Sequence, residues 1–206
     1  MPKAKNTYIR KTFETCHSQE LVRLFHLSQD QAHPEYQNWL SAQYTIPSDV
    51  LHFVEPLQKT LMLRKFDWNE MELRDKFISP FLSYIPFWGD NFETFAGRML
   101  KARLGDYELC GLVDWVVAKG TYEPIAPYFF IHEYKQANIP KADPLGQVLA
   151  AMLTAQAQNA DGACVYGCFV VAASWQFVWL KDKVFAVSKI YDATDPEELQ
   201  KVWSVL

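Results

Sequence analysis

The chain has no run of about 18 apolar residues, the length a membrane-spanning helix requires. Its opening, MPKAKNTYIRKTF, carries no apolar stretch of the kind a secretory signal needs. From these absences a soluble, cytoplasmic protein is expected, with no membrane partner. Cysteine is scarce. Cys16, Cys110, Cys164 and Cys168 form no paired zinc signature, and their thiols are expected to be reduced. No HExxH spacing exists, the histidines lack ligand spacing, and no Gly-rich loop matches a phosphate cradle. Zinc hydrolysis and a nucleotide-driven motor are therefore excluded as readings, and Ser174 has no neighbouring His and Asp to make it a nucleophile. Excess positive charge is also missing. Twenty Lys and Arg stand against 24 Asp and Glu, a net charge of -4, which argues against a generic nucleic-acid coat. The basic residues Lys3, Lys5, Arg10 and Lys11 nevertheless precede the first acid, Glu14. Such an arm could track phosphates or simply be a solvated terminus.

What is present is apolar and patterned. Half of the 206 residues are hydrophobic and 15% are aromatic, enough for one good core or one domain with an extension. Residues 1–66 read as an N-terminal helical extension: "SQELVRLFHLSQ" has a capping-type start, and "PSDVLHFVEPLQKTLML" is a helix bent or split at Pro56. "DWNEMELRDKFISPFL" continues as helix over about 68–82. The period then changes. "FETFAGRMLKARLG" and "YELCGLVDWVVAKG", divided by Gly105-Asp106, read as a hairpin, and "PYFFIHEYK" as a third strand. "DPLGQVLAAMLTAQAQ" is a helix with Asp143 as cap and Pro144 in its first turn. Two or three further strands and a short helix complete an α/β fold with a mixed central sheet flanked by helices. The alternating Trp175, Phe177 and Trp179 read as sheet core.

Charges inside these strands need an explanation. Asp114 lies within Leu, Val and Trp, and Glu133 and Lys135 end the run Tyr128–Ile131. Alternation sends Glu133 and Lys135 one way and His132 and Tyr134 the other. If the second and third strands pair, Asp114 and Glu133 converge near one end of the sheet. Two converging carboxylates repel, raise each other's pKa and invite a hard divalent cation such as magnesium. A lysine beside that ion could orient or deprotonate a water. On a helical wheel Arg74 lies about 30° and Glu70 about 70° from the apolar direction of residues 68–82, whereas Glu72 lies about 130° away. Glu70 is thus the better third acid, and Glu72 is expected in water.

Asp114, eighteen intervening residues and then Glu133-Tyr134-Lys135 resembles the PD-(D/E)XK nuclease superfamily, the restriction-endonuclease-like fold. "NEMELRDKFISPFL" is similar to the helix opening the N-terminal nuclease domain of type I restriction-enzyme motor subunits, with its glutamate falling on Glu70, its arginine on Arg74 and its Ile-x-Pro on Ile78-Ser79-Pro80. The resemblance covers about residues 67–192, within a nuclease-like core of residues 67–206. It implies that Asp114, Glu133 and the carbonyl of Tyr134 bind Mg2+, with Mn2+ as a substitute. It further implies that Lys135 acts on the attacking water, that Gln147 touches the site or the substrate, and that the substrate is nucleic acid, DNA first, in restriction, repair or mobile-element defence. Val113 replaces the proline of the motif, and Ala151 stands where some relatives carry a tyrosine. Two other readings stay open: a salt-bridged structural cluster, and a non-catalytic nucleic-acid- or protein-binding subunit on the same fold. A homodimer is allowed for; protein partners are not indicated.

Overall fold

The computed structural model describes residues 8–135, 143–159 and 162–206. In chain order it contains β1 (Ile9–Thr12), a 3-10 turn (Phe13–Thr15), α1 (Ser18–Phe25), β2 (Ser28–Gln29), α2 (Pro34–Leu40) and α3 (Ser48–Arg64). Then come α4 (Glu70–Leu73), a π-helical turn (Arg74–Ile78) and α5 (Ser79–Leu82). The strands β3 (Glu93–Leu104), β4 (Tyr107–Lys119) and β5 (Ile125–Lys135) precede α6 (Pro144–Asn159). The chain closes with β6 (Val165–Val171), β7 (Ser174–Lys181), β8 (Val184–Val187), β9 (Tyr191–Asp192) and α7 (Pro196–Val205). Among the described residues no helix is long and apolar enough to cross a membrane.

The result is a mixed sheet between two helical layers. The strands run β1-β4-β5-β6-β7-β8-β2, with β3 also on β4 and β9 also on β7. The pairs β1–β4, β5–β6 and β8–β2 are parallel and the others antiparallel. One face is covered by α6 and α1, which bury Leu21, Leu149 and Met152 against Val116, Ile131 and Val178. The other is covered by α3, the α4–α5 segment and α7, which bury Leu61, Phe77, Phe81 and Val202 against Phe130, Tyr134 and Trp175. Trp175, Phe177 and Trp179 are fully buried, as sheet-core residues are.

Polar groups fix the joints between layers. One oxygen of Asp143 accepts the Gly146 N–H at 2.8 Å and so caps α6. Its other oxygen accepts the Ser18 N–H at 2.7 Å and the Ser18 hydroxyl at 2.8 Å, at the start of α1. A single carboxylate thereby satisfies first-turn donors of two packed helices, groups that have no partner within their own helix.

The amino-terminal third departs from the helical expectation. β1 and β2 are strands of the central sheet, so the segment expected to be a helical extension contributes two strands to it. They are four and two residues long, too short for an alternation pattern to stand out. Helix α3 is a single element with Pro56 inside it, and is not split there. The segment after it is interrupted: α4 gives way to the π-helical turn before α5 resumes.

Candidate metal and phosphoryl-transfer site

Strand β4 has more neighbours than edges, and this makes a fork. β3 pairs along nearly its whole length on one edge. On the other edge β1 takes Tyr107–Cys110, and β5 takes Trp115–Lys119. Residues 111–114 lie in the gap between these two neighbours. The β4–β5 ladder ends at Trp115 opposite His132, and β5 continues alone against β6 as far as Lys135 opposite Val171. Asp114 is the first residue beyond the ladder. Opposite it on β3, between the pairs Ala96–Trp115 and Arg98–Val113, stands Gly97 with φ +61°, a left-handed conformation that favours glycine.

The backbone dictates what enters the fork. In a parallel ladder, successive residues direct their N–H and C=O groups to opposite sides. The Lys135 carbonyl accepts the Ala172 N–H at the end of β6, so the N–H and carbonyl of Tyr134 point toward β4. That N–H donates to Asp114 Oδ2 at 2.8 Å, replacing the missing ladder bond with a side chain. The Tyr134 carbonyl, named above as a metal ligand, faces the same gap.

Charge is concentrated there. Glu133 is 4% exposed, and its Oε1 is buried without a hydrogen-bond partner among the described residues. Burial pushes its pKa well above the ordinary range, and the negative charge of Asp114 adds to the effect. Asp114 is shifted upward too, by burial, against the opposing pull of the Tyr134 N–H and the positive charge of Lys135. Lys135 Nζ lies 3.3 Å from Glu70 Oε2, so the first residue of α4 reaches across to the end of β5. Arg74 pairs with Asp75 at 2.9 Å, and its charge also acts on Asp114. Asp114, Glu133, Lys135 and Glu70 are thus brought into one electrostatic neighbourhood.

Glu70 and Glu72 differ by partner, not by exposure, because their side chains are 42% and 39% exposed. Glu72 serves its own helix. Its Oε2 accepts the Asn69 N–H at 3.2 Å while Asn69 accepts the Glu72 N–H at 2.9 Å, and Oε1 takes Lys76 at 2.7 Å. Met71, one of the apolar residues of the 68–82 segment, is 64% exposed. The wheel assumed 100° per residue through 82, an assumption the π-helical turn breaks.

Gln147 is buried in the first turns of α6. Among the described residues its carboxamide makes no hydrogen bond to Asp114, Glu133 or Lys135. Of the basic start, Lys3 and Lys5 lie outside the described residues, and Lys11 pairs with Glu20 at 2.9 Å. A residue the sequence gave no reason to choose is Glu14, whose charge bears on Glu133 from the 3-10 turn after β1. Phe13 of that turn lies so close over Gly111 that a Cβ there would come within 2.5 Å of its ring.

Among the described residues no group of three or more His, Cys, Asp or Glu is disposed to hold a metal ion. Magnesium asks for less: one or two carboxylates, with waters and phosphate oxygens completing the shell. The unpartnered Glu133 oxygen, the upward shifts of both carboxylates and the Tyr134 carbonyl form a donor set that fits it. No family model matches the chain, and no curated protein is similar enough to count as a relative.

Proposed function

We propose that the chain is a magnesium-dependent nuclease of the restriction-endonuclease-like type, hydrolysing phosphodiester bonds of nucleic acid, DNA first. One observation carries the reading: the Glu133 carboxylate is buried beside Asp114 with an oxygen that has no hydrogen-bond partner among the described residues. A buried, unpaired carboxylate is costly enough that it neutralises or binds a cation. Asp114, Glu133 and the Tyr134 carbonyl would hold Mg2+, which supplies a Lewis acid for a phosphoryl oxygen and a water of lowered pKa. Lys135 would orient the attacking water or take its proton, and Glu70 would fix the Lys135 ammonium from the helix side. Gln147 would act from α6 on the substrate. A role in restriction, repair or mobile-element defence belongs to the same reading.

The Lys135–Glu70 ion pair supports a second reading, because it engages the lysine without any substrate. In it the fold serves as a non-catalytic binding subunit. The two are separated by incubating purified protein with supercoiled, linear and single-stranded DNA and with RNA, in magnesium and then manganese. Metal-dependent cleavage that vanishes in Asp114→Asn supports the nuclease. Absence of cleavage on every substrate removes the enzyme.

A further inference from the structure

The 3-10 turn between β1 and α1 stands at the mouth of the fork. β1 runs parallel to β4 and leaves it at Thr12, opposite Cys110, so the residues that follow head for the gap at 111–114. Phe13 covers Gly111 there, and Phe13 and Cys16 are buried in the core on the α6 side of the sheet. The chain then meets the first turn of α6, where a Cβ on Gly146 would collide with the Cys16 carbonyl and the Ser18 nitrogen. Asp143 ties this contact down through its two bonds to Ser18. Glu14 is thereby fixed between the strand that carries Asp114 and the helix that carries Gln147.

Glu133 faces the same side. It pairs with Phe169, which shares a core with Phe13, Cys16 and the α6 residues, and residues paired across strands share a face. Glu133 is 4% exposed, and its Oε1 is buried without a hydrogen-bond partner among the described residues. Glu14 has its carboxylate free. It is exposed and, among the described residues, makes no hydrogen bond or ion pair. The two basic residues shortly before it are engaged elsewhere, Lys11 with Glu20 at 2.9 Å and Arg10 beside Glu108 at 3.6 Å. The charge of Glu14 reaches Glu133 and adds to the upward pressure on its pKa.

We infer that Glu14 is an outer acceptor of the Asp114–Glu133 site, taking a hydrogen bond from a water on the bound cation and so raising the affinity for that ion. The inference rests on the metal site of the nuclease reading and adds a residue from outside the resemblance, which begins at about residue 67. Direct ligation is not open to Glu14, because among the described residues no three acidic side chains are disposed around one ion. Magnesium is held by one or two carboxylates and keeps several waters, so a further carboxylate beyond bonding distance acts on those waters. Groups that orient metal-bound ligands in this way are worth about 10–100-fold in metal affinity.

The test is a calorimetric titration of Mn2+ into the full chain without nucleic acid, so that cleavage is not what is read. Glu14→Gln should weaken Mn2+ by about 10–100-fold. Its melting temperature without metal should equal that of wild type, because the side chain has no partner to lose. Glu55→Gln, which removes one exposed charge from α3 on the other side of the sheet, should bind Mn2+ as wild type does. The loss in Glu14→Gln should persist in 1 M salt, where the screening length is about 3 Å. A loss that disappears in 1 M salt shows only a distant field and overturns the inference. So does a loss accompanied by a lower melting temperature, which makes Glu14 structural. Unchanged affinity in Glu14→Gln overturns it as well, and the nuclease reading survives if the wild type cleaves with magnesium. The expected loss in a protein that cuts nothing supports the role of Glu14 and removes the nuclease reading. A wild type that binds no Mn2+ overturns the inference together with the metal site.

Discussion

Asp114 Oδ2 accepts the Tyr134 backbone N–H at 2.8 Å, immediately beyond the last ladder pair of β4 and β5. The bond ties a candidate metal ligand to the strand that carries the other two. It also separates structure from chemistry. Asp114→Asn keeps an oxygen acceptor there and removes the charge, so it should leave the melting temperature nearly unchanged while abolishing metal binding and cleavage. Asp114→Ala leaves the N–H without its acceptor and should cost about 1–3 kcal/mol. Calorimetric metal titration beside thermal melts of both variants checks this; equal destabilisation by Asn and Ala would contradict it.

The same reasoning gives Glu133 a pH signature. Its folded pKa lies well above its ordinary value because of burial and the nearby Asp114 charge. The stability linked to that proton is fully present below the unfolded pKa and is lost as pH rises through the folded one. Without metal, Glu133→Gln should therefore melt higher than wild type at pH 8, by about 2–4 °C for each kcal/mol relieved. The gap should close as the pH is lowered toward 4. Adding magnesium should raise the melting temperature of wild type but not of the variant. A variant that melts lower at pH 8 would mean that the charge is well compensated within the protein.

His132 should show the opposite slope. It is fully buried among Phe87, Trp115 and Phe130, its Nδ1 3.1 Å from Cys168 Sγ, and burial lowers its pKa from 6.5 to about 3. The folded state refuses the proton that the unfolded chain accepts. Stability from this group is intact above pH 6.5 and is lost as pH falls below it, at up to about 1.4 kcal/mol per pH unit. His132→Phe removes the titration. Urea melts from pH 7.5 to 4.5 should show a shallower acid loss in the variant, whatever its baseline stability. Parallel curves would show that His132 is protonated in both states or in neither.

Much of this was legible in the chain. β3, β4 and β5 announce themselves by alternation and by the Gly105-Asp106 turn, and α6 by the Asp143-Pro144 start. Charges stranded in apolar runs pointed to Asp114, Glu133 and Lys135 before any contact was known. Other features were not readable, for physical reasons. "IRKT" and "SQ" become strands because β4 and β8 offer edges to them, and polar segments of that length carry no signal of their own. Glu14 acquires its place from β1 pairing, a contact about a hundred residues distant in sequence. Pro56 reads as a break, yet α3 continues through it with packing from Val54 and Leu61 on either side.

Lys135 and the two glutamates of α4 supply the last test. If Lys135 orients or deprotonates the attacking water, Lys135→Ala should lower kcat by about 10²–10⁴-fold, the usual worth of a positioned acid–base group. Metal affinity and strand binding should persist. Glu70 acts through Lys135 across 3.3 Å, so Glu70→Gln should lower kcat less than Lys135→Ala, and the double variant should be no slower than Lys135→Ala alone. Glu72→Gln keeps the acceptor that caps α4 and gives up only a surface pair with Lys76, worth under about 1 kcal/mol. Its kcat should equal that of wild type. If Glu72→Gln slows cleavage as much as Glu70→Gln, the two act through the stability of α4, and the Lys135–Glu70 pair has no separate role. If Lys135→Ala cleaves at the wild-type rate, Lys135 is a structural partner of Glu70, and the water must be activated by another group.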